Sequence, residues 1–360
     1  MNRTGVRAPA RSVGLALTLL LISALLLALG MCAGASGFDD LWRSVTSATS
    51  ADERQLAQQI VWEIRLPRTV GAWAAGALLG LAGALAQGLF RNPLADPFLL
   101  GSASGASLGV ALALAAMGGA AGLLGSSAAA AGISVMSEQW WVRLGLTGAA
   151  FCGAVLAVLL TLALARGVQH TLRLLLAGVI VGVVLGAASS LVLLFSPQSL
   201  QAMQAFMLGS TSFVGWSSCL LMLGVWLPCA LVAVMLSRAL DSLSLGDATA
   251  ASLGLPLAGL RVALVGVLAL ATGTAVAQTG LIAFVGLAAP HLVRSLVQVR
   301  HGALLMLASL SGAVLLAAAD LLARTAIAPQ ELPVGVLTAL LGGGYLLWRM
   351  HKPGAMSGVQ

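Results

Sequence analysis

Arg91-Asn-Pro-Leu-Ala-Asp-Pro97 is a polar island between two apolar runs, one reaching back to Thr69 and one continuing from Phe98 to Met117. An apolar helix of about twenty residues crosses a bilayer, so the island reads as a membrane-surface turn joining two spanning helices. Two prolines fix φ and remove N–H donors, while Asn92 and Asp96 offer side-chain hydrogen bonds to the local backbone. Both helices must therefore stop here.

The composition extends that reading to the whole chain. Of 360 residues, 59% are hydrophobic and only 8% charged, against roughly a quarter charged in soluble domains. The runs are long and continuous rather than short and alternating, which selects helices over a barrel. The fold class is an all-α polytopic membrane protein, with residues 1–360 as one transmembrane domain. Apolar runs place spans near 13–34, 69–90, 98–117, 142–165, 172–195, 214–236, 260–278, 281–297, 303–323 and 333–350. Residues 262–293 are nearly unbroken and would form a helix of about 48 Å, too long for one crossing. Gln278-Thr279-Gly280 is the natural break. The Ala/Gly/Ser segment 118–135 is expected to be an external loop or a short interfacial helix.

The formal net charge of +7 does not indicate nucleic acid, because the basic residues lie singly at the ends of apolar runs. With the N-terminus inside, Arg3, Arg7, Arg11, Arg91, Arg166, Arg173, Arg238, Arg261, Arg294, Arg300, Arg349 and Lys352 fall on the inner side. Arg43, Arg54, Arg65, Arg68, Arg143 and Arg324 fall outside. This bias is the positive-inside pattern, and it puts both termini, including the tail 351–360, on the cytoplasmic side. The first run exceeds the usual signal-peptide core and is read as an uncleaved span.

Several chemistries are excluded. Lys352 is the sole lysine, so no phosphate-binding loop of the Gly-x-x-x-x-Gly-Lys type exists and the chain does not hydrolyse ATP by that route. Gly101-Ser-Ala-Ser-Gly105 fails as a nucleophile elbow because its centre is Ala103. Cys32, Cys152, Cys219 and Cys229 lack metal-type spacing and read as packing residues. His291, after Pro290, reads as structural. The chain is expected to be no enzyme and to bind no metal or cofactor.

What remains is transport machinery. Gly178, Gly182 and Gly186 recur every four residues, as do Gly76, Gly80, Ala84 and Gly88, marking close helix contacts. Asp320 and Arg324 are spaced to pair along one helix near the outer surface. No other acid lies inside a span, which argues against ion-coupled transport. Residues 237–259 form the longest inner polar segment. Asp241 or Ser242 caps a first short helix, Asp247 suits the start of a second, and Gly254 with Pro256 ends it, giving a compact knob.

Together these pieces resemble the FecCD-type permeases of ABC importers for iron–siderophore, haem and cobalamin. The resemblance rests on Arg65-Leu-Pro-Arg68, Gly80-Leu-Ala-Gly83 with Gln87, the Arg91–Pro97 island, and Leu245-Gly246-Asp247 with Ala250 and Leu253-Gly254. It continues through Gly280-Leu-Ile-Ala-Phe-Val-Gly-Leu287, Pro290-His291, Arg294, Gly312, Asp320, Arg324 and Glu331-Leu-Pro-Val-Gly335. It implies a type II importer architecture: a homodimer of ten-helix subunits in membrane lipid, two ATPase subunits that use ATP and Mg²⁺, and an external substrate-binding protein. By the same resemblance, Asp241, Gly246, Asp247, Ala250, Leu253 and Gly254 couple to the ATPase, Arg65, Arg68 and Arg324 dock the binding protein, and Gly167, His170 and Thr171 lie at an inner gate. The cargo implied is a metal chelate, foremost an iron–siderophore, with cobalamin and haem as alternatives. The rival from another class is a stand-alone secondary transporter. Two departures from the family pattern are Gly342-Gly343-Gly344 in the last span, where a proline is usual, and Val299-Arg300-His301-Gly302, which lacks the usual Asp.

Overall fold

The computed structural model describes residues 7–34, 51–123, 140–165 and 171–351. Helix α1 covers Arg7–Cys32. Helix α2 (Ala51–Gln59) runs through a π-helical stretch, Ile60–Arg65, into α3 (Leu66–Phe90). The wide turn has a local cause. Pro67 has no N–H and its ring crowds the carbonyl four residues back, so the ladder shifts and the Leu66 N–H reaches Val61 instead. The continuous apolar stretch Gln55–Phe90 is about 54 Å long, so the second span begins well before the Thr69 expected from hydropathy.

Helix α4 (Ser102–Leu123) outruns the expected end at Met117; the remainder of the 118–135 segment lies outside the described residues. Then come α5 (Trp140–Leu164), α6 (Thr171–Phe195), the short α7 (Leu200–Leu208) and α8 (Trp216–Met235). Hydropathy gave no sign of α7. The knob is α9 (Ser237–Ser244) with α10 (Asp247–Ser252). Next are α11 (Leu257–Thr279), α12 (Val285–Leu296), α13 (His301–Thr325) and α14 (Val334–Met350).

Seven helices among the described residues are long and apolar enough to cross a membrane, and the stretches Ser102–Met117 of α4 and Val334–Tyr345 of α14 are shorter apolar companions. The chain is a multi-pass helical membrane protein. Helix α3 is its axis, walled by α8, α11, α12 and α13, and almost every residue from Pro67 to Phe90 is buried. Small residues make that possible. A Cβ at Gly76 would come within 2.3 Å of the Gly312 carbonyl oxygen, and one at Gly80 within 2.3 Å of that of Ala308. Gly83 meets the Gly286 carbonyl in the same way. Backbones touch, so α3 and α13 cannot slide apart without losing dispersion contacts all along the seam.

Of the expected Gly178, Gly182 and Gly186 stripe, only Gly178 is tight, its Cβ position lying 2.0 Å from the Leu99 carbonyl; Gly186 borders open space within the chain. A closer seam joins α4 to α5 through Gly105, Gly109 and Gly153. The break at Gln278-Thr279-Gly280 occurs as expected. Helix α11 ends at Thr279, and Gly280 (φ +70°) begins a non-helical stretch that lasts to Phe284. Its backbone finds partners in the neighbouring turns: Leu281 N–H donates to the Phe206 carbonyl (3.1 Å), and Ser210 N–H to that of Thr279 (2.8 Å). That is the condition for irregular backbone inside a membrane bundle. The three glycines of the last span do not break it: α14 continues through them, and Gly342 makes room for the Phe284 side chain.

Candidate functional site

Charged side chains gather at the two ends of α3. At its C-terminal end Arg91 caps the helix in the left-handed region (φ 50°). Asn92 Oδ1 then accepts from Leu94 N–H, and Asp96 Oδ1 from Phe98 N–H (2.8 Å). Burial holds the Asp96 carboxyl above its ordinary range even against that N–H donor.

The left-handed cap turns the Arg91 guanidinium towards the knob. Arg91 Nη2 donates to Asp247 Oδ1 at 2.9 Å, and Arg261 Nη2, from the first turns of α11, donates to the same oxygen at 2.7 Å. Asp247 also sits in the first turn of α10. Asp241 makes a second tie. Its Oδ1 accepts from the His301 backbone N–H (3.1 Å) and lies 2.7 Å from His301 Nδ1, at the start of α13. The carboxylate can only accept, so Nδ1 carries the proton.

Within the knob, Leu240, Leu243 and Ala250 are buried, while Leu245 and Leu253 are exposed. Gly246 (φ +103°) and Gly254 (φ +74°) supply the turns that flank α10. All six residues expected at the coupling segment are thus in one small unit, but with different surroundings. Asp241 and Asp247 face the body of the protein, Ala250 is interior, and Leu253 points away. Sequence reasoning did not find Arg91, Arg261 or His301 as partners, because they lie 156, 14 and 60 residues from their acids, none of which leaves a helical-period trace. Nearby, Arg294 donates to Gln87, whose amide donates to the Leu287 carbonyl at 3.2 Å, tying α12 to α3.

At the other end of α3 a buried ion cluster forms. Arg68 Nε donates to Asp320 Oδ1 (3.1 Å) and its Nη1 to Glu331 Oε1 (2.9 Å). Arg324 pairs with Asp320 along α13 and also donates to Thr69 Oγ1 at 3.0 Å. Thr211 donates to Asp320, and Ser212 to Glu331 Oε2 (2.9 Å). Burial alone would raise the Glu331 carboxyl, but the Arg68 hydrogen bond and charge, with the Ser212 hydroxyl, bring it below its ordinary value.

The three arginines expected to dock the binding protein differ in their surroundings. Arg68 is 7% exposed and Arg324 2% exposed, both engaged with Asp320. Arg65 is half-buried and donates to the carbonyls of Cys32 (3.1 Å) and Met31 (3.4 Å) at the end of α1. The expected Asp320–Arg324 pair is present; Glu331 and Arg68 complete it, Arg68 lying 252 residues from Asp320 and 263 from Glu331 in sequence.

Gly167 and His170 lie outside the described residues, and Thr171 opens α6. His291 packs edge-on to Tyr345 with ring centroids 6.0 Å apart. Among the described residues no group of three or more His, Cys, Asp or Glu converges as a metal site would require. A cavity of about 360 Å³ lies between α5, α7, α8 and α11, bordered by Thr147, Phe206, Ser210, Ser218, Gln278 and Thr279.

Comparison with known proteins agrees with this arrangement. The vitamin B12 import system permease protein BtuC of Escherichia coli O157:H7 is 38% identical over 341 residues, covering 94% of this chain and 95% of its own. The hemin transport system permease protein HmuU of Yersinia pestis is 38% identical over 343 residues, covering 93% and 94%. A solved metal-chelate-type ABC transporter in an inward-facing conformation is similar with a TM-score of 0.76 at 28% identity, covering 95% of this chain and 99% of that one. The pattern of the FecCD transport family matches residues 19–352, and the chain belongs to that family.

Proposed function

We propose that the chain is the permease subunit of a binding-protein-dependent ABC importer that carries a metal chelate into the cytoplasm. The observation that carries this reading is the family match over residues 19–352, joined to a protruding knob at 237–254. In the proposed assembly two copies of the chain form the pathway in the bacterial inner membrane. Two ATPase subunits, which bind ATP and Mg²⁺, receive the knobs on the cytoplasmic side, where both termini lie. A periplasmic binding protein docks at the Arg65 end. The permease itself performs no chemistry; it converts movement of the ATPase pair into alternating access.

Both curated relatives name macrocyclic cargoes, vitamin B12 and hemin, at equal identity. Cobalamin and haem are therefore carried forward beside iron–siderophore as candidate cargoes. The secondary-transporter alternative loses support from the site: Asp320, fully buried on α13, already faces Arg324, Arg68 and Thr211. A carboxylate already paired with two guanidinium groups is poorly placed to hold a coupling cation as well.

The test is uptake in a strain lacking its own chelate permeases, supplied in parallel with vitamin B12, haemin and a ferric siderophore, together with affinity purification of the tagged chain. ATP-dependent accumulation of one ligand, with ATPase and binding-protein chains co-purifying, is expected. Uptake by the purified chain alone under an ion gradient would reject the proposal.

A further inference from the structure

The knob follows α8 directly in sequence, yet its ionic ties bypass α8. Asp247 binds Arg91 at the end of α3 and Arg261 at the start of α11; Asp241 binds His301 at the start of α13. Helices α3, α11 and α13 are the three most deeply enclosed spans, whereas α8 is mostly exposed along its length. Leu240 completes the seat, reaching towards the space left by Gly88 of α3. On the far side of the knob, Leu245 and Leu253 are 66% and 61% exposed.

We propose that the knob has two separate working faces. Asp241 and Asp247 are positioning residues that moor it to α3, α11 and α13, and Leu245 with Leu253 is the face that meets the ATPase. Displacement applied to the leucines passes through the two carboxylates into the central helices and not down the peripheral α8. A single oxygen shared by Arg91 and Arg261 suits this task, since one small rotation of α10 pulls on two helix ends together. Both arginines donate charge-assisted hydrogen bonds, the stronger kind. Part of the proposal, the identity of the partner, rests on the importer reading; the mooring itself does not.

Hydrogen exchange on the purified chain in nanodiscs, followed by mass spectrometry, tests the mooring without any partner. Arg91→Ala, which loses one charge-assisted pair, is expected to speed exchange of the 237–254 amides about tenfold, and Asp247→Ala, which loses the pairs to both Arg91 and Arg261, is expected to speed it more. Exchange in the middle of α3 should not change. Asp247→Asn and Arg91→Gln, which keep a polar contact, guard against loss of fold and should give a smaller effect in the same segment. Leu253→Ser should leave exchange unchanged but release the ATPase from the co-purified complex, while Asp247→Ala should keep the ATPase and lower ligand uptake per ATP hydrolysed. Unchanged exchange in both alanine variants overturns the mooring, and so does loss of the ATPase by Asp247→Ala with normal exchange. If the wild-type chain captures no ATPase, the importer reading fails and the exchange result still decides the mooring.

Discussion

Replacing Asp320 by Asn is the most severe single test of the ion cluster at the Arg68 end. The side chain is fully buried, and two guanidinium groups, themselves 7% and 2% exposed, rely on its charge. The amide is nearly isosteric, so no cavity opens and the effect reports charge. Arg68 retains Glu331, but Arg324 keeps only Thr69 and a carbonyl of α1. Removing one partner of a buried pair typically costs about 3–5 kcal/mol, because an uncompensated charge stays behind. We expect Asp320→Asn to lose that amount in a denaturant titration of the purified chain. Adding Arg324→Met removes the stranded charge, and the double variant should recover more than half of the loss. The comparison is a double-mutant cycle between residues in contact, where non-additivity is the signal. A loss below about 1 kcal/mol for the single variant, or simple additivity in the double, would refute the account of an interdependent cluster.

Gly83→Ala should destabilise the fold or block its expression, since its Cβ would collide with the Gly286 carbonyl; Gly186→Ala, facing open space, should melt like the wild type or slightly higher. Gly342→Val should lower the melting temperature by displacing Phe284, whereas Gly344→Ala should be neutral or stabilising. The Glu331 carboxyl sits below its ordinary value of 4.5 in the folded chain, so its contribution is present above that pH and is lost as pH falls through the lower folded value. A Glu331→Gln variant should therefore be less stable than wild type at neutral pH, with the gap closing only in acid melts below about pH 4.5. Arg65→Glu should weaken capture of the binding protein with little change in melting, whereas Arg68→Glu should lower both because it also breaks the ion cluster.

The helical membrane class was readable because bilayer crossing imposes length and apolarity on each helix, and neither depends on tertiary detail; against the ten spans expected, seven helices among the described residues reach that length and apolarity. The α11/α12 break was readable for the same reason: a run of that length demands a turn, and Gly280 is where φ can be positive. Helix α7 was not, because nine residues with three of them buried resemble any loop of mixed polarity. Charge placement was legible only in part. Hydropathy located Arg68 and Arg324 at one end of the bundle, but burial depends on which acids the fold brings there, and Glu331 reaches Arg68 from a loop 263 residues further along the chain. The Gly178 series shows a further limit: the spacing of small residues identifies a helix face, while the neighbour that uses it is a tertiary property.

Helix α3 joins these observations into one physical argument. From Arg68 to Arg91 it rises about 35 Å, close to one bilayer thickness, and each of those arginines holds an acid from elsewhere in the chain. At one end the acid belongs to α13, at the other to the knob. Between them Gly76, Gly80 and Gly83 press the helix against α13 and α12 without intervening side chains. A helix clamped at both termini and close-packed along its length transmits displacement poorly as bending and well as rigid translation, because any bend must open a backbone contact. Under the importer proposal this makes α3 the common strut between the ATPase side and the binding-protein side. Gly80→Ala, midway between the ionic ends, puts a Cβ within 2.3 Å of the Ala308 carbonyl oxygen and should push α3 off α13. The melting temperature and uptake per ATP hydrolysed should both fall while Arg91 and Arg68 keep their partners. Normal coupling in a well-folded Gly80→Ala complex would show that the strut is not the path.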